Sequence, residues 1–169
     1  MNNNDILVRL RYALDMKDTE IVEIFKFGGT KITIEEVQKM LIKSKDESQN
    51  SDDEVIRCNN STLESFLNGF IIFKRGRQAQ EPGQHTKPAL PIISTGSVNN
   101  VMLKKVKIAL ELSSEDMLDI LKEAGLTISK GELSAVFRKE GHKNYKECGD
   151  SYARNFLKGL AIRYRKDLE

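Results

Sequence analysis

The chain has 169 residues, enough for one domain or two small ones with a buried core. Lys and Arg number 27 and Asp and Glu number 25, so the bulk charge favours neither a nucleic-acid partner nor an acidic substrate. No apolar run approaches the ~20 residues of a membrane helix, and Arg9 and Arg11 interrupt the apolar run that a signal peptide needs. Two distant cysteines without a paired motif predict a reducing, cytoplasmic environment.

The first two predicted helices follow from apolar spacing. Apolar side chains recur every three or four residues over roughly 4–16. The paired asparagines Asn3 and Asn4 are expected to accept the free amide protons of that helix's first turn. The second helix shows the same spacing from Ile21 and is predicted to stop at Gly29, as helices commonly stop at a glycine.

Capping boxes predict where the next two helices begin. Thr33 with Glu36 marks the start of the third helix, and Ser61 with Glu64 marks the start of the fourth. The fourth helix ends in the stretch FLNGFIIFKRGR, in which apolar side chains give way to basic ones.

A segment that contains every proline of the chain follows the fourth helix. These residues are Pro82, Pro88 and Pro91. Proline removes a backbone donor and fixes φ, so residues 78–97 are predicted to form a linker. The linker separates a first helical repeat, 1–77, from a second, 98–169.

The second half of the chain repeats the first. With a shift of 96 residues, the stretch from Asn3 lies on the stretch from Asn99 without a gap, and most apolar positions meet apolar positions. With a shift of 90 the last helices align, and Cys58 meets Cys148. The sequence therefore predicts an all-α fold, a tandem duplication of a four-helix unit packed as a pseudo-twofold helical bundle, with no strand.

Each predicted last helix contains a glycine in its apolar middle, Gly69 in the first copy and Gly159 in the second. Glycine inside a helix costs about 0.5–1 kcal/mol relative to alanine. We expect the missing side chain to let a neighbouring helix approach closely, and the other last helix is one option for that neighbour. The alternative is inheritance from the duplication without a packing role.

The duplicated asparagine-rich starts and the segment HKNYKECGDSYARNFLKGLAIRYR, residues 142–165, resemble the YehS-like bacterial proteins. That family consists of small two-copy chains that carry a domain of unknown function, and the resemblance covers nearly the whole chain. It implies a helical protein of the bacterial cytoplasm, and it supplies no catalytic residue.

Few residues are suited to catalysis or metal binding. Cys148 precedes a predicted helix start, which lowers a thiol pKa, and His142 is near it in sequence, so a Cys–His nucleophile is a remote alternative. Cys58 has no such histidine, and free cysteines are commonly buried, so both cysteines are expected to be structural. His85 falls in the linker. Without zinc-ligand spacing or a P-loop, we expect no metal, no cofactor and no enzyme.

Nucleic-acid binding is an alternative function. The second and third helices of each copy have a helix-turn-helix rhythm, and basic residues recur at matched positions. The candidate residues are Arg9, Arg11, Lys43, Arg75, Lys105, Lys107 and Arg165. Acidic residues recur as well, and the stretch from Gly125 to Leu133 is longer than a tight turn. A mixed-charge solvated surface therefore explains the pattern without a nucleic acid.

The basic segment before the last helix is the candidate surface for a protein partner. Its candidate residues are Lys139, His142, Lys143, Tyr145 and Lys146. Loops on rigid scaffolds are enriched in binding residues. Tyr145 either presents its ring to a partner or folds inward to fill a gap. The leading hypothesis is thus a non-enzymatic binding or regulatory module that contacts another protein, with an oligomeric state that the sequence does not define.

Overall fold

The protein forms eight α-helices in a computed structural model that describes residues 2–41, 56–75, 98–138 and 142–165. The first copy contributes α1 (Asn3–Leu14), α2 (Asp18–Phe27), α3 (Ile34–Met40) and α4 (Asn60–Arg75). The second contributes α5 (Val98–Ala109), α6 (Ser114–Glu123), α7 (Lys130–Phe137) and α8 (Asp150–Tyr164). No strand occurs within these ranges, so the predicted all-α fold is confirmed. The predicted linker at 78–97 lies outside the described residues.

Local sequence signals set the bounds of the short helices. Thr33 caps α3 and Ser129 caps α7, each with the complete capping box expected from the sequence. Gly29 follows α2 with φ of 92°, and Gly125 follows α6 with φ of 98°. Glycine adopts this left-handed conformation without a steric penalty, which explains why both helices stop there.

The predicted starts of α1 and α4 are one or two residues too late. Asn2 caps α1, because its side chain accepts a hydrogen bond from the Asp5 N–H at 2.8 Å, whereas the paired asparagines lie inside the helix. α4 begins before Ser61, since the Asn59 side chain accepts from the Thr62 N–H at 2.8 Å. In both helices an earlier asparagine takes the cap, one position before Asn3 in α1 and two positions before Ser61 in α4.

The two copies exchange helices across the pseudo-twofold axis. α1 packs mainly against α8 of the second copy, and α5 packs mainly against α4 of the first. The remaining helices stay with their own copy, with α2 against α4 and α6 against α8. The buried side chains therefore form one continuous hydrophobic core drawn from both copies. Within the described ranges, no helix has the length and apolar character needed to cross a bilayer.

The exchanged helix pairs run parallel. Arg165, after the end of α8, donates to the Tyr12 carbonyl near the end of α1 at 2.9 Å. Lys105 in the middle of α5 donates to the Asn68 side chain in the middle of α4. The first turns of all four helices line one cleft. α1, α4, α5 and α8 therefore begin at the same end of the molecule.

The glycines of the last helices lie at helix crossings. A Cβ added at Gly69 would collide with the Ile24 carbonyl of α2 and lie 2.8 Å from the Gly28 nitrogen. A Cβ added at Gly159 would collide with the Ile120 carbonyl of α6 and lie 2.7 Å from the Ile120 Cγ2. The expected close approach is present, but the neighbour is the second helix of the same copy rather than the other last helix.

Candidate functional site

A cleft opens where the four central helices begin. Its volume is about 1030 Å³, and residues of both copies line it. The lining consists of the first turns of the four helices and the segments that lead into α4 and α8. Arg57 and Glu147, which correspond under the shift of 90, are both in the lining. Because each copy supplies two of the four helix starts, one copy alone cannot form the cleft.

One asparagine in the first copy ties three chain segments together beside the cleft. The Asn4 side-chain amide donates to the Met40 carbonyl at 2.9 Å and to the Ile56 carbonyl at 2.8 Å. The Asn4 oxygen accepts from the Cys58 N–H at 2.9 Å. This side chain therefore satisfies backbone groups that no helix or strand pairs.

The second copy contains the same arrangement. The Asn100 side-chain amide donates to the Val136 and Lys146 carbonyls, both at 2.9 Å, and its oxygen accepts from the Cys148 N–H at 2.8 Å. Only 6% of Asn100 is exposed. We call these two three-bond networks, centred on Asn4 and Asn100, the asparagine clamps. They fix the segments that lead into α4 and α8, and hence one side of the cleft.

The preceding asparagine of each pair joins two helix starts. The Asn3 side chain donates to the Asn60 side chain at 2.8 Å. The Asn99 side chain donates to the Cys148 carbonyl and to the Asp150 carboxylate, both at 3.0 Å. Within each copy, the first and last helices therefore begin side by side.

The electrostatics of the cleft combine helix ends and side chains. The amino end of a helix is equivalent to roughly half a positive charge, so four parallel helix starts contribute about two. Arg57 adds a positive charge, whereas Glu147 and Asp150 subtract two. The amide side chains of the lining supply further donors and acceptors. These contributions sum to about one positive charge, so the cleft is polar and weakly positive, which suits a polar ligand that contains a carboxylate.

Both cysteines line the cleft but are buried. Burial raises the pKa of the Cys58 thiol to about 12, and burial together with the carboxylates of Asp150 and Glu147 raises that of Cys148 to about 12. The exposed fraction is 3% for Cys58 and 2% for Cys148. Each Sγ points at the backbone carbonyl of the next residue, at 3.7 Å and 3.6 Å. The thiol form therefore dominates at neutral pH, the opposite of what an activated nucleophile requires.

The candidate partner-binding segment is partly integrated into the fold. The Lys146 N–H donates to the Ala135 carbonyl at 3.0 Å, which fixes the segment against α7. His142 and Lys143 are exposed, while Tyr145 is half-buried with its hydroxyl inside the protein. The inward orientation of Tyr145 was one of the two alternatives left open by the sequence. Lys139 lies outside the described residues.

Two of the basic candidates pack between the copies. Lys105 is only 3% exposed, and desolvation lowers its pKa although the Glu64 carboxylate acts in the opposite direction. The Arg165 guanidinium lies 4.4 Å from the Tyr12 ring centroid and 3.6 Å from the Asp15 carboxylate. Both side chains stabilise the helix exchange and are poorly placed to contact a phosphate backbone.

The remaining basic candidates do not form one surface. Arg11 forms an ion pair with Asp18 at 3.1 Å, and Lys107 lies over the Phe137 ring at 5.9 Å from its centroid. Arg9 and Arg75 are exposed, and Lys43 lies outside the described residues. No group of three or more metal-binding side chains occurs in the part of the chain that the structure describes.

The sequence contains a signal for the cleft, although asparagines near the start of a helix also predict helix capping. Both pairs of asparagines and both cysteines recur at matched positions, and all of them lie at or beside the cleft. The recurrence was visible, but the partners of Asn4 and Asn100 are 36 to 54 residues away. Local patterns cannot identify such distant partners.

Comparisons with known proteins extend the sequence resemblance. A sequence model of the family described as "Protein of unknown function (DUF1456)" matches the chain twice, at residues 3–76 and 99–166. The chain is also similar to "Uncharacterized protein YehS" of Escherichia coli strain K12, with 37% identity over 163 residues that cover 96% of each chain. No solved structure matches the chain. The predicted duplication and the resemblance to the YehS-like proteins are both confirmed.

Proposed function

The chain belongs to the DUF1456 family of proteins of unknown function, and we propose that it is a non-enzymatic binding module that acts through contacts with another protein. The observation that carries the proposal is the cleft of about 1030 Å³ that the two copies build together. A concave site shared between two structural units is a common location for ligand binding.

Binding is favoured over catalysis by the state of the polar groups around the cleft. The two thiols have pKa values raised to about 12, so they supply little thiolate at neutral pH. The amides of Asn4 and Asn100 are engaged in the asparagine clamps. The thiols and the clamp amides therefore stabilise the shape of the cleft. The groups that remain to contact a ligand are the helix starts and the exposed amides.

The ligand proposed for the cleft is a polar segment of a partner protein that contains a carboxylate. The exposed Asn59 side-chain NH2 can donate to a peptide backbone, while its oxygen caps α4, and four helix starts attract a carboxylate. We also propose that this protein acts in the cytoplasm, because free cysteines such as Cys58 and Cys148 persist in a reducing compartment.

A bulky side chain placed in the cleft tests this function. Ser61 is exposed and lines the cleft, so Ser61→Trp should abolish capture of the bound protein from a bacterial lysate. Ser151 occupies the corresponding position of α8, is exposed and is not in the lining, so Ser151→Trp is the matched control. The readout is quantitative mass spectrometry of proteins retained by the tagged full chain. Equal recovery with the wild type and Ser61→Trp would contradict the proposal.

Nucleic-acid binding remains an alternative on the strength of the exposed cations Arg9 and Arg75. It is less favoured because residues 28–33 and 124–129 separate the paired helices, which is longer than the three or four residues typical of a helix-turn-helix. A salt-dependent gel shift tests it, since phosphate contacts lose affinity as salt rises. Binding that is lost in Arg75→Gln and falls with salt would replace the protein-partner proposal.

A further inference from the structure

A second concave surface lies entirely within the second copy, away from the cleft. Its volume is about 420 Å³, and it lies between α5, the start of α6 and α7. We call it the basic groove. Its lining consists of Lys104, Lys107, Arg138, Ser114 and Ser134, together with the apolar side chains Ile108 and Phe137. Three cations therefore surround one groove, and its lining contains no carboxylate.

The three cations of the basic groove have no ionic partner among the residues that the structure describes. Lys107 instead lies over the Phe137 ring, 5.9 Å from its centroid. Like charges that converge on one groove repel each other, so the bare arrangement is electrostatically unfavourable. An anion in the groove would remove this repulsion.

The residues of the first copy that correspond to the basic groove include a balanced ion pair. There the Arg11 guanidinium pairs with the Asp18 carboxylate at 3.1 Å, and the Gln38 amide donates to the same carboxylate at 3.4 Å. Under the shift of 96, Arg11 corresponds to Lys107 and Asp18 to Ser114. The second copy therefore has the cation but not the carboxylate.

The second copy has also gained positive charge at this place. Lys104 corresponds to Val8, and Arg138 corresponds to Ile42. The described part of the first copy has one internal ion pair where the second copy has three cations around an open groove. A dianionic ligand fits this excess better than a carboxylate, which would neutralise a single cation.

We propose that the basic groove binds the phosphate monoester of a small molecule. A dianionic phosphate accepts hydrogen bonds from lysine and arginine and from the hydroxyls of Ser114 and Ser134. Ser114 is the first residue of α6, whose amino end adds favourable positive potential. Ile108 and Phe137 supply an apolar wall for the organic part of the ligand.

Thermal-shift and calorimetric titration with phenyl phosphate at low ionic strength tests this site. We expect saturable binding to the full chain, and binding of inorganic phosphate at least about tenfold weaker because it lacks an apolar body. No saturable binding of phenyl phosphate would overturn the proposal. Equal affinity for inorganic phosphate would overturn the assignment to a monoester.

The internal comparison supplies the decisive variant. Ser114→Asp restores the carboxylate of the first copy, so we expect an ion pair with Lys107 and a loss of phenyl phosphate affinity of about tenfold or more. The fold tolerates aspartate at the corresponding position 18, so the variant is expected to stay folded.

A control variant separates the groove from general surface charge. Lys158→Gln removes an exposed cation of α8 that is not in the groove, and it should leave phenyl phosphate affinity unchanged. Lys107→Gln should lower that affinity about tenfold without changing the urea midpoint of unfolding by much. Equal affinities for the wild type, Ser114→Asp and Lys107→Gln would show that the groove is not the site.

Discussion

The two copies agree where backbones and buried amides meet, and they differ where side chains carry charge. The glycine crossings at Gly69 and Gly159 and the asparagine clamps at Asn4 and Asn100 occur in both. These features depend on contacts that tolerate little change in shape or polarity. Charged positions are less constrained by packing, and the copies have diverged there.

The exchanged helix pairs illustrate the divergence. Lys105 of α5 is buried against Asn68 of α4. In the other pair, the corresponding residues are Arg9 and Lys158, which are both exposed. Two cations cannot make the hydrogen bond that Lys105 makes with an amide, so Arg9 stays in solvent. At these matched positions, the α4–α5 pair therefore has a buried polar contact, whereas the α1–α8 pair has two side chains in solvent.

The largest effect is expected at the glycine crossings, where the copies should behave alike. Gly69→Leu and Gly159→Leu should each lower the free energy of unfolding by about 3 kcal/mol or more, because the new side chain meets a backbone carbonyl. Urea unfolding measures the change. Gly131→Ala is the control, since a Cβ at Gly131 would meet only the Ser129 Oγ, at an ordinary contact distance of 3.8 Å, and the variant should gain up to about 1 kcal/mol.

Alanine at the same two glycines sharpens this comparison. All three atoms nearest to a Cβ at Gly69 belong to the backbone, whereas one of the three near Gly159, the Ile120 Cγ2, belongs to a side chain. Gly69→Ala should therefore cost more than Gly159→Ala. Stabilisation by both alanine variants would show that the crossings are loosely packed.

The next largest effect is expected at the asparagine clamps. Asn100→Ala leaves three backbone groups without their partner, two of them in buried hydrogen bonds, and should cost about 3 kcal/mol. Asn4→Ala should cost less, because Asn4 is only partly buried and water can replace some of its bonds. The exposed Asn144 provides the control, with Asn144→Ala expected near zero. Identical unfolding midpoints for Asn100→Ala and Asn144→Ala would contradict the clamp.

Alkaline pH should destabilise both copies together. Between the ordinary thiol pKa of 9.0 and the folded value of about 12, the unfolded chain loses protons that the folded chain keeps. Stability therefore falls as pH rises above 9, by up to about 1.4 kcal/mol per pH unit for each thiol. Urea melts from pH 8 to 10 measure the fall.

The double variant Cys58→Ala with Cys148→Ala identifies the source of the alkaline effect. It should show a shallower loss of stability with pH, and each single variant should remove about half of the difference. The same slope in the wild type and the double variant would assign the alkaline effect to other groups.

The smallest effect is expected in the exchanged helix pairs. Asn68→Ala removes the acceptor of the buried Lys105 ammonium and should cost about 1–2 kcal/mol. Lys158→Ala changes the corresponding exposed position and should be nearly neutral. If the two variants unfold at the same urea concentration, the polar contact of Lys105 does not stabilise the exchange.

The helices and the duplication were predictable because their signals are local or repeated. Apolar spacing and the boxes at Thr33 and Ser129 act within a few residues, and the repeat appears on aligning the chain with itself. The exchange was not predictable. The same apolar face of α1 is buried whether it packs against α4 of its own copy or α8 of the other. Apolar spacing therefore cannot distinguish the two arrangements.

For Lys105, helical spacing indicates a buried position, whereas its charge favours an exposed one. Lys105 follows Val101 by four residues and precedes Ala109 by four, which places it on the buried face of α5. A lysine is rarely buried, so the sequence alone favoured a solvent position. The amide that receives it, Asn68, belongs to the other copy and could be identified only from the fold.

The helix exchange has a consequence for synthesis on the ribosome. α1 is made before its main partner, α8, and six helices of the described chain lie between them. At about 5–20 residues per second, the apolar face of α1 waits roughly 7–30 s for that partner to be translated. Contacts between the two chain ends also raise the contact order, which slows folding. A chaperone that binds nascent chains would therefore find α1 accessible for most of translation.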